Sequence, residues 1–286
     1  MSYRKKHVKN KISRIQPKRP VFFRLWFWTL ALLLASVSLA FYLPVFYPGF
    51  QVKNIVILGN DKIKTQDLER IVLENANTGL VDFGWLKIIS RSIFLVDLQK
   101  IDKEILDKFP VIESIKTSKN LPQTLAVDVA ERKAVGIYCP LASSEQPRCF
   151  LIDQNGVVFE PEDNLQQGLV IVRQAIGDPE VFTGENVIQK SIMETIYKIE
   201  KNLEDKFQIN LREALIASST KLDIKTSENW QVYFDLSESA DINMQITKLD
   251  LLLEKEISSE NRKNLRYINL IPKDRAIICA NPICGE

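Results

Sequence analysis

Three short stretches carry residues with the spacing of a covalent catalyst. Ser218-Ser219-Thr220-Lys221 matches Ser-x-x-Lys, and Lys225-Thr226-Ser227 and Ser227-Glu228-Asn229 faintly echo the motifs that accompany it in penicillin-binding enzymes. Their order is wrong for that chemistry, and the last two overlap, so they cannot stand on separate walls of one cleft. Ser218 also precedes a strand pattern instead of opening a helix. Glu200 and Glu204 are a carboxylate pair of the kind used in acid–base work. They fall on the charged side of a helical stripe and are expected to be solvated, salt-laced surface. The one histidine is His7, inside a basic N-terminal stretch. The rest of the chain therefore lacks imidazole bases, Ser-His and Cys-His pairs and histidine-ligated zinc. No catalytic residue, metal or cofactor is expected.

The four cysteines are Cys139, Cys149, Cys279 and Cys284. Four cysteines allow three pairings. The preferred one is local, Cys139–Cys149 and Cys279–Cys284, because each pair is close in sequence and an oxidising compartment favours disulfides. A four-thiolate zinc site lacks its usual tight knuckles here. Free thiols are the third state, should the host not oxidise its exterior.

The elements that would position these groups begin with a membrane segment. Residues 25–43 form an uncharged run, and the first 24 residues hold nine Lys or Arg and no acid. At about 1.5 Å per residue such a run spans a bilayer's hydrocarbon core. The basic tail, 1–24, is expected to stay in the cytoplasm and a helix over 25–47 to cross the membrane. Ser38-Leu39-Ala40 resembles a signal-peptidase site, but the apolar run continues past it to Leu43, which favours an anchor. Trp26, Trp28, Tyr42 and Tyr47 suit the two interfaces, and Pro44 and Pro48 are expected to stop the helix. Outside the tail, 29 Lys and Arg face 36 Asp and Glu, so the external part is acidic and carries no nucleic-acid footprint.

Val52–Leu58 reads as a strand closed by Gly59-Asn60. Thr65 caps a helix with Leu68, Ile71 and Val72 on one face. A long loop, 76–92, carries Phe83, Trp85, Leu86, Ile88 and Ile89, expected to pack back on the domain, with a membrane-proximal contact as the lesser alternative. Asp102 opens a second helix with Ile105, Leu106 and Phe109 inward, ended by Pro110. Val111–Thr117 is a strand, and Leu125, Val127 and Val129 alternate with polar or small residues in the next, the pattern of a sheet with one solvated face. The order is β-α-α-β-β. Beyond Lys133, Phe150–Ile152 and Val157–Phe159 flank Asp153-Gln154-Asn155-Gly156, a strong hairpin signal. Ile192, Ile196, Ile199 and Leu203 mark a helix. A second hairpin turns at Ser227-Glu228-Asn229. Ile242, Ile246, Leu249, Leu253 and Ile257 mark another helix, and Tyr267–Leu270 and Ala276–Cys279 are late strands.

These residues resemble the bacterial division family FtsQ, called DivIB in Gram-positives. The first unit looks like a POTRA domain through Val56-Ile57-Leu58-Gly59-Asn60, Phe94-Leu95-Val96-Asp97, Phe109-Pro110-Val111 and Leu121-Pro122 before Leu125-Ala126-Val127. Glu131-Arg132 stands where the family has Glu-Arg-x-Pro. Phe150-Leu151-Ile152-Asp153 with Gly156 resembles the next hairpin, and Tyr267-Ile268-Asn269-Leu270 the late Tyr-Ile-Asp-Leu-Arg strand. Leu121 replaces a common Trp, Ala134 the Pro, Asn269 the Asp and Ile271 the Arg.

The resemblance implies an α+β fold: a tail (1–24), one transmembrane helix (25–47), a POTRA-like domain (50–132) and a mixed α/β domain (133–286) ending in a sheet edge. It also implies a non-enzymatic scaffold in the cytoplasmic membrane at the division septum, with its C-terminal domain outside. Such a scaffold binds FtsL-like and FtsB/DivIC-like single-pass proteins and helps control septal peptidoglycan synthesis, with no small-molecule substrate and no nucleic acid. Strand addition to an exposed final strand supplies a mechanism. The contact residues expected are Tyr267, Ile268, Asn269, Leu270 and Ile271, with Ala276, Ile277 and Ile278. The alternatives are a POTRA component of protein translocation or envelope assembly, and a membrane-anchored cell-wall enzyme.

Overall fold

The structure is a computed structural model that describes residues 25–82, 87–141, 148–162, 168–175 and 180–280. The basic tail, Phe83, Trp85, Leu86 and Cys284 lie outside the described residues, as does the side chain of Ile88. The chain divides into two compact units.

The smaller unit holds the N-terminal apolar helix, with residues 76–96 and 119–124. Helix α1, Leu25–Phe46, is uncharged along its length and is long and apolar enough to cross a membrane. Pro44 does not stop it, as the sequence suggested, but sits inside its last turn. There the ring removes a single helical hydrogen bond, to Ala40, and the helix runs on two more residues to Phe46. Pro48 does end the helical pattern and begins a short 3-10 turn, Pro48–Phe50. The expected loop over 76–92 contains a hairpin instead: β2 (Thr78–Asp82) pairs antiparallel with β3 (Lys87–Ser90). Its signal was hidden because the strands are short and Gly79 interrupts one of them. The segment after β3 pairs with the chain that follows α1: Val52 N–H donates to Arg91 O (3.0 Å) and Ile93 N–H to Phe50 O (2.8 Å).

The larger unit opens with β1 (Asn54–Leu58), α2 (Thr65–Ala76), α3 (Leu98–Lys108), β4 (Ile112–Asn120) and β5 (Thr124–Glu131). The strands form a sheet in the order β1-β5-β4. Leu125, Val127 and Val129 are buried as their alternation requires, with Leu68, Ile71, Ile101 and Ile105 of the helices also buried. Gly59 turns the chain at φ +82°, and a Cβ there would lie 2.0 Å from Val129 O, so only glycine fits. Helix α3 starts earlier than expected. Asp97 caps it by accepting from Lys100 N–H, while Asp102 sits inside the helix and accepts from the Thr117 hydroxyl. Leu106, expected inward, is 37% exposed, because the buried stripe runs through Ile101 and Ile105.

The remaining strands build a nine-stranded mixed sheet: β6 (Gly136–Tyr138), β7 (Cys149–Ile152), β8 (Val158–Glu162), β9 (Val170–Gln174), β10 (Leu211–Ser218), β11 (Lys221–Thr226), β12 (Gln231–Asp235), β13 (Leu265–Asn269) and β14 (Ile277–Ala280). Their spatial order is β14-β13-β12-β11-β10-β9-β6-β7-β8. Helices α4 (Lys190–Phe207) and α5 (Ile242–Lys255) supply Met193, Ile196, Ile199, Leu203, Ile246, Leu249 and Leu253 to the core that buries Trp230, Val232 and Phe234. Burial alternates along β11 and β12, so Lys221, Asp223, Gln231 and Tyr233 point to a second, wetter face. Alternation vanishes in β6, where all three residues are buried, because Ile137 joins a separate cluster with Leu151, Phe159 and Cys139.

Cys139 and Cys149 form a disulfide with a Cα–Cα distance of 4.4 Å, joining the end of β6 to the start of β7. This excludes a four-thiolate zinc site. Cys279 is also disulfide-bonded.

Candidate partner-binding edge

Strand β14 closes one end of the nine-stranded sheet. It pairs antiparallel with β13 through Tyr267↔Cys279, Ile268↔Ile278 and Asn269↔Ile277, and among the described residues no strand lies on its outer side. Cross-strand partners share a face. Ile278 therefore sits on the helix-covered side with buried Ile268, and Ile277 on the wetter side with Asn269. Both isoleucines are exposed, at 39% and 42%, so each face of this edge presents an apolar side chain.

The eight residues expected to contact partners do not form one surface. Ile268 and Leu270 are core residues, and the Leu270 N–H donates to Tyr233 O at 2.9 Å. Strand β13 is not an edge at all, since β12 pairs parallel on one side and β14 antiparallel on the other. Its main chain is used twice over, and the sheet's last described strand is β14. Tyr267 lies on the wetter face against Tyr233, ring centroids 5.4 Å apart. The Asn269 carboxamide accepts from Ile271 N–H at 3.0 Å and shapes the chain leaving β13. Ile271 lines a cavity of about 310 Å³ with Met244, Lys248 and Lys273. Ala276 packs partly against the core and borders a second cavity of about 360 Å³ with Leu251 and Lys255. Cys279 and Ala280 complete the edge strand. Leu251, 46% exposed on α5, was overlooked because the helical stripe was read only for its inward residues.

The opposite edge, β8, is closed. Val158 N–H donates to Glu185 O (3.0 Å), Gly184 N–H to Val158 O (2.7 Å) and Val187 N–H to Gly156 O (2.9 Å), so residues 184–187 cover its first half. Its second half carries Glu160, Pro161 and Glu162. Proline has no N–H to offer, and carboxylates discourage docking of another strand. The turn leading into β8 is locked from within. Buried Asp153 accepts from Asn155 N–H (2.9 Å), Val157 N–H (2.9 Å) and the Arg132 guanidinium (2.5 Å), which also donates to Pro110 O (3.0 Å). Gly156 turns at φ +80°, where a Cβ would lie 1.8 Å from Ile188 O. Glu131 accepts from the N–H groups of Asp61, Lys62 and Ile63. The Glu131-Arg132 pair is thus structural.

The residues that suggested chemistry are not arranged for it. Ser218 ends β10 at a tight turn, where its hydroxyl lies 3.3 Å from that of Thr220. The Lys221 ammonium is held by Asp223 (3.0 Å) and sits 4.4 Å from the Tyr233 ring centroid. Glu200 departs from expectation. It is half-buried on α4 and lines a groove of about 410 Å³ with Val135, Val172, Met193 and Tyr197. Burial pushes its carboxyl up to about 7, and the charge of exposed Glu204 one turn on adds to the rise. The helical stripe read its charge correctly and its depth wrongly, because the groove is made by strands distant in sequence.

These features define a class: a POTRA-bearing protein that has, among the described residues, one long apolar N-terminal helix and a large mixed sheet ending in an uncharged strand. The FtsQ-type POTRA domain matches residues 83–132. The chain is similar to the cell division protein DivIB of Clostridium tetani, 22% identical over 81% of this chain and 80% of that protein. It is 24% identical to DivIB of Limosilactobacillus reuteri, over 73% and 70% of the two chains. With DivIB of Clostridium acetobutylicum it shares 32% identity over 41% and 40%. Together these similarities are to an FtsQ-type POTRA domain and to DivIB cell division proteins.

Proposed function

We propose that this protein is a non-enzymatic scaffold of the division machinery that binds FtsL-like and FtsB/DivIC-like single-pass proteins outside the cytoplasmic membrane. Its N-terminal tail lies in the cytoplasm and its sheet outside, at the septum, where partner binding helps control peptidoglycan synthesis. One observation carries the binding mode: among the described residues β14 is the last strand of its sheet, uncharged and with Ile277 and Ile278 exposed, whereas the other end of the same sheet is covered and charged. A partner segment adds as a further strand through main-chain hydrogen bonds, and the two cavities beside the β13–β14 connection receive its side chains. The DivIB relatives support the division setting.

The experiment co-purifies the full chain in lipid nanodiscs with the external segments of FtsL- and FtsB-like proteins. Proline at Ile268 or Leu270 would break the core, so the variants are Ile277→Pro and Ile278→Pro. In an antiparallel pair, successive residues turn their N–H groups to opposite sides. One variant therefore loses a bond to β13, and the other loses only the outward donor. Loss of binding in the variant that keeps its full melting temperature supports strand addition. Undiminished binding by that variant overturns it.

A further inference from the structure

The end of the membrane helix is capped by the hairpin of its own unit. In an α-helix the Pro44 carbonyl would accept from residue 48, which is proline and has no N–H. The Ser92 hydroxyl takes its place, donating to Pro44 O at 2.5 Å, and the Ser90 hydroxyl donates to Val45 O at 2.7 Å. A hydrocarbon core accommodates about 20 helical residues, and Pro44 and Val45 stand at the end of the 22 in α1. The tip of β3 is therefore held at the depth where the bilayer meets water.

The same unit exposes apolar side chains. Leu121 is 61% exposed, Ile89 50% and Phe94 46%, and Phe94 packs edge-on against Phe50 with ring centroids 5.3 Å apart. Charge separates between the units in the same sense. Beyond the helix, the small unit has four basic residues, Lys53, Lys87, Arg91 and Lys119, against the single acid Asp82. The larger unit has 25 Lys and Arg against 35 Asp and Glu. Lys119 lies beside the apolar residues, its ammonium donating to Phe94 O at 3.3 Å.

We propose that this juxtamembrane unit is a lipid-binding surface that seats on anionic headgroups, with Ile89, Phe94 and Leu121 in the interfacial layer and Lys53, Arg91 and Lys119 at the phosphates. Apolar side chains at the headgroup boundary and basic residues near anionic lipid both favour the seat, and long basic side chains reach polar groups while their stems stay apolar. The acidic unit is repelled by the same surface. The inference rests on α1 crossing the membrane and is independent of which division proteins bind.

The test places a nitroxide at Leu121→Cys, Phe94→Cys or Ile89→Cys, one at a time, with Tyr197→Cys in the acidic unit as the aqueous control. The full chain is reconstituted in nanodiscs of phosphatidylcholine with or without phosphatidylglycerol, and circular dichroism checks each variant's fold. Relaxation by oxygen, which partitions into lipid, is compared with relaxation by a water-soluble nickel chelate. The expected result is an oxygen-to-nickel ratio several-fold above the control at all three sites, rising with phosphatidylglycerol and falling at high salt. Control-like ratios in both lipids overturn the proposal. So do sites that lose nickel access only when a partner's external segment is added, which would assign the patch to protein.

Discussion

The two ends of the nine-stranded sheet are opposites. At β8, a cover segment, a proline, two carboxylates and an internally bonded turn occupy or blunt the main-chain row. At β14 the edge strand is Ile-Ile-Cys-Ala, uncharged and free of proline, with isoleucine exposed on both faces. An open apolar edge invites association with any free strand, and proteins ordinarily suppress it. One end is thus guarded by several devices, and the described residues show none of them at the other, the contrast on which the proposed strand addition rests.

The largest expected effect breaks the guarded end. Arg132→Ala leaves the buried Asp153 carboxylate without its cation, which typically costs about 3–5 kcal/mol. Urea unfolding should show that loss, and a shift below about 1 kcal/mol would mean the turn has other support. Next is the Cys139–Cys149 bond beside the guarded strands. Replacing both cysteines with serine reopens a short loop, for about 2–3 kcal/mol in the chain-entropy account, read as a lower melting temperature.

At the open end the effect falls on binding instead of folding. Loss of one main-chain bond in the outward-facing proline variant should weaken partner affinity by up to about tenfold, measured by titration, with little change in melting. Equal loss of binding and stability would mean that β14 is a structural strand first.

The smallest effect concerns Glu200, in the groove lined by β9 and α4. A carboxyl raised to about 7 in the folded state holds its proton more tightly than in the unfolded chain, where the value is near 4.5. Below that lower value the group is neutral in both states and costs nothing. Between the two, stability is lost as pH rises, and above about 7 the loss is complete. Glu200→Gln should therefore stabilise the protein at pH 8 and leave it unchanged at pH 4. Because the groove is open to water, about 1 kcal/mol is expected, well short of the full linkage value. Paired urea melts at the two pH values check the sign.

What could be read from the sequence was what short-range pattern controls. Leu125, Val127 and Val129 alternate, Asn155-Gly156 and Ser227-Glu228-Asn229 mark hairpins, and Ile196, Ile199 and Leu203 trace α4; each is decided within a few residues. Strands β6, β9 and β10 went unread, β6 because it is three residues long, buried on both faces and without a period of two. The candidate edge was half legible for a related reason. Tyr267 to Ile278 look like two exposed late strands, and nothing local tells the last from the last but one. That distinction depends on strand order, as the depth of Glu200 depends on the strands across its groove.

The serine caps on α1 have a mechanical consequence. A membrane anchor joined through a loose linker swivels freely beneath its cargo. Here the final carbonyls of the helix are bonded to hairpin hydroxyls, and Phe50 and Val52 are stitched to the strand that follows. If α1 crosses a bilayer as proposed, twisting or tilting it would therefore turn the hairpin with it. Torque applied by a neighbouring membrane helix would reach the outer surface as a change of heading, without any segment unfolding.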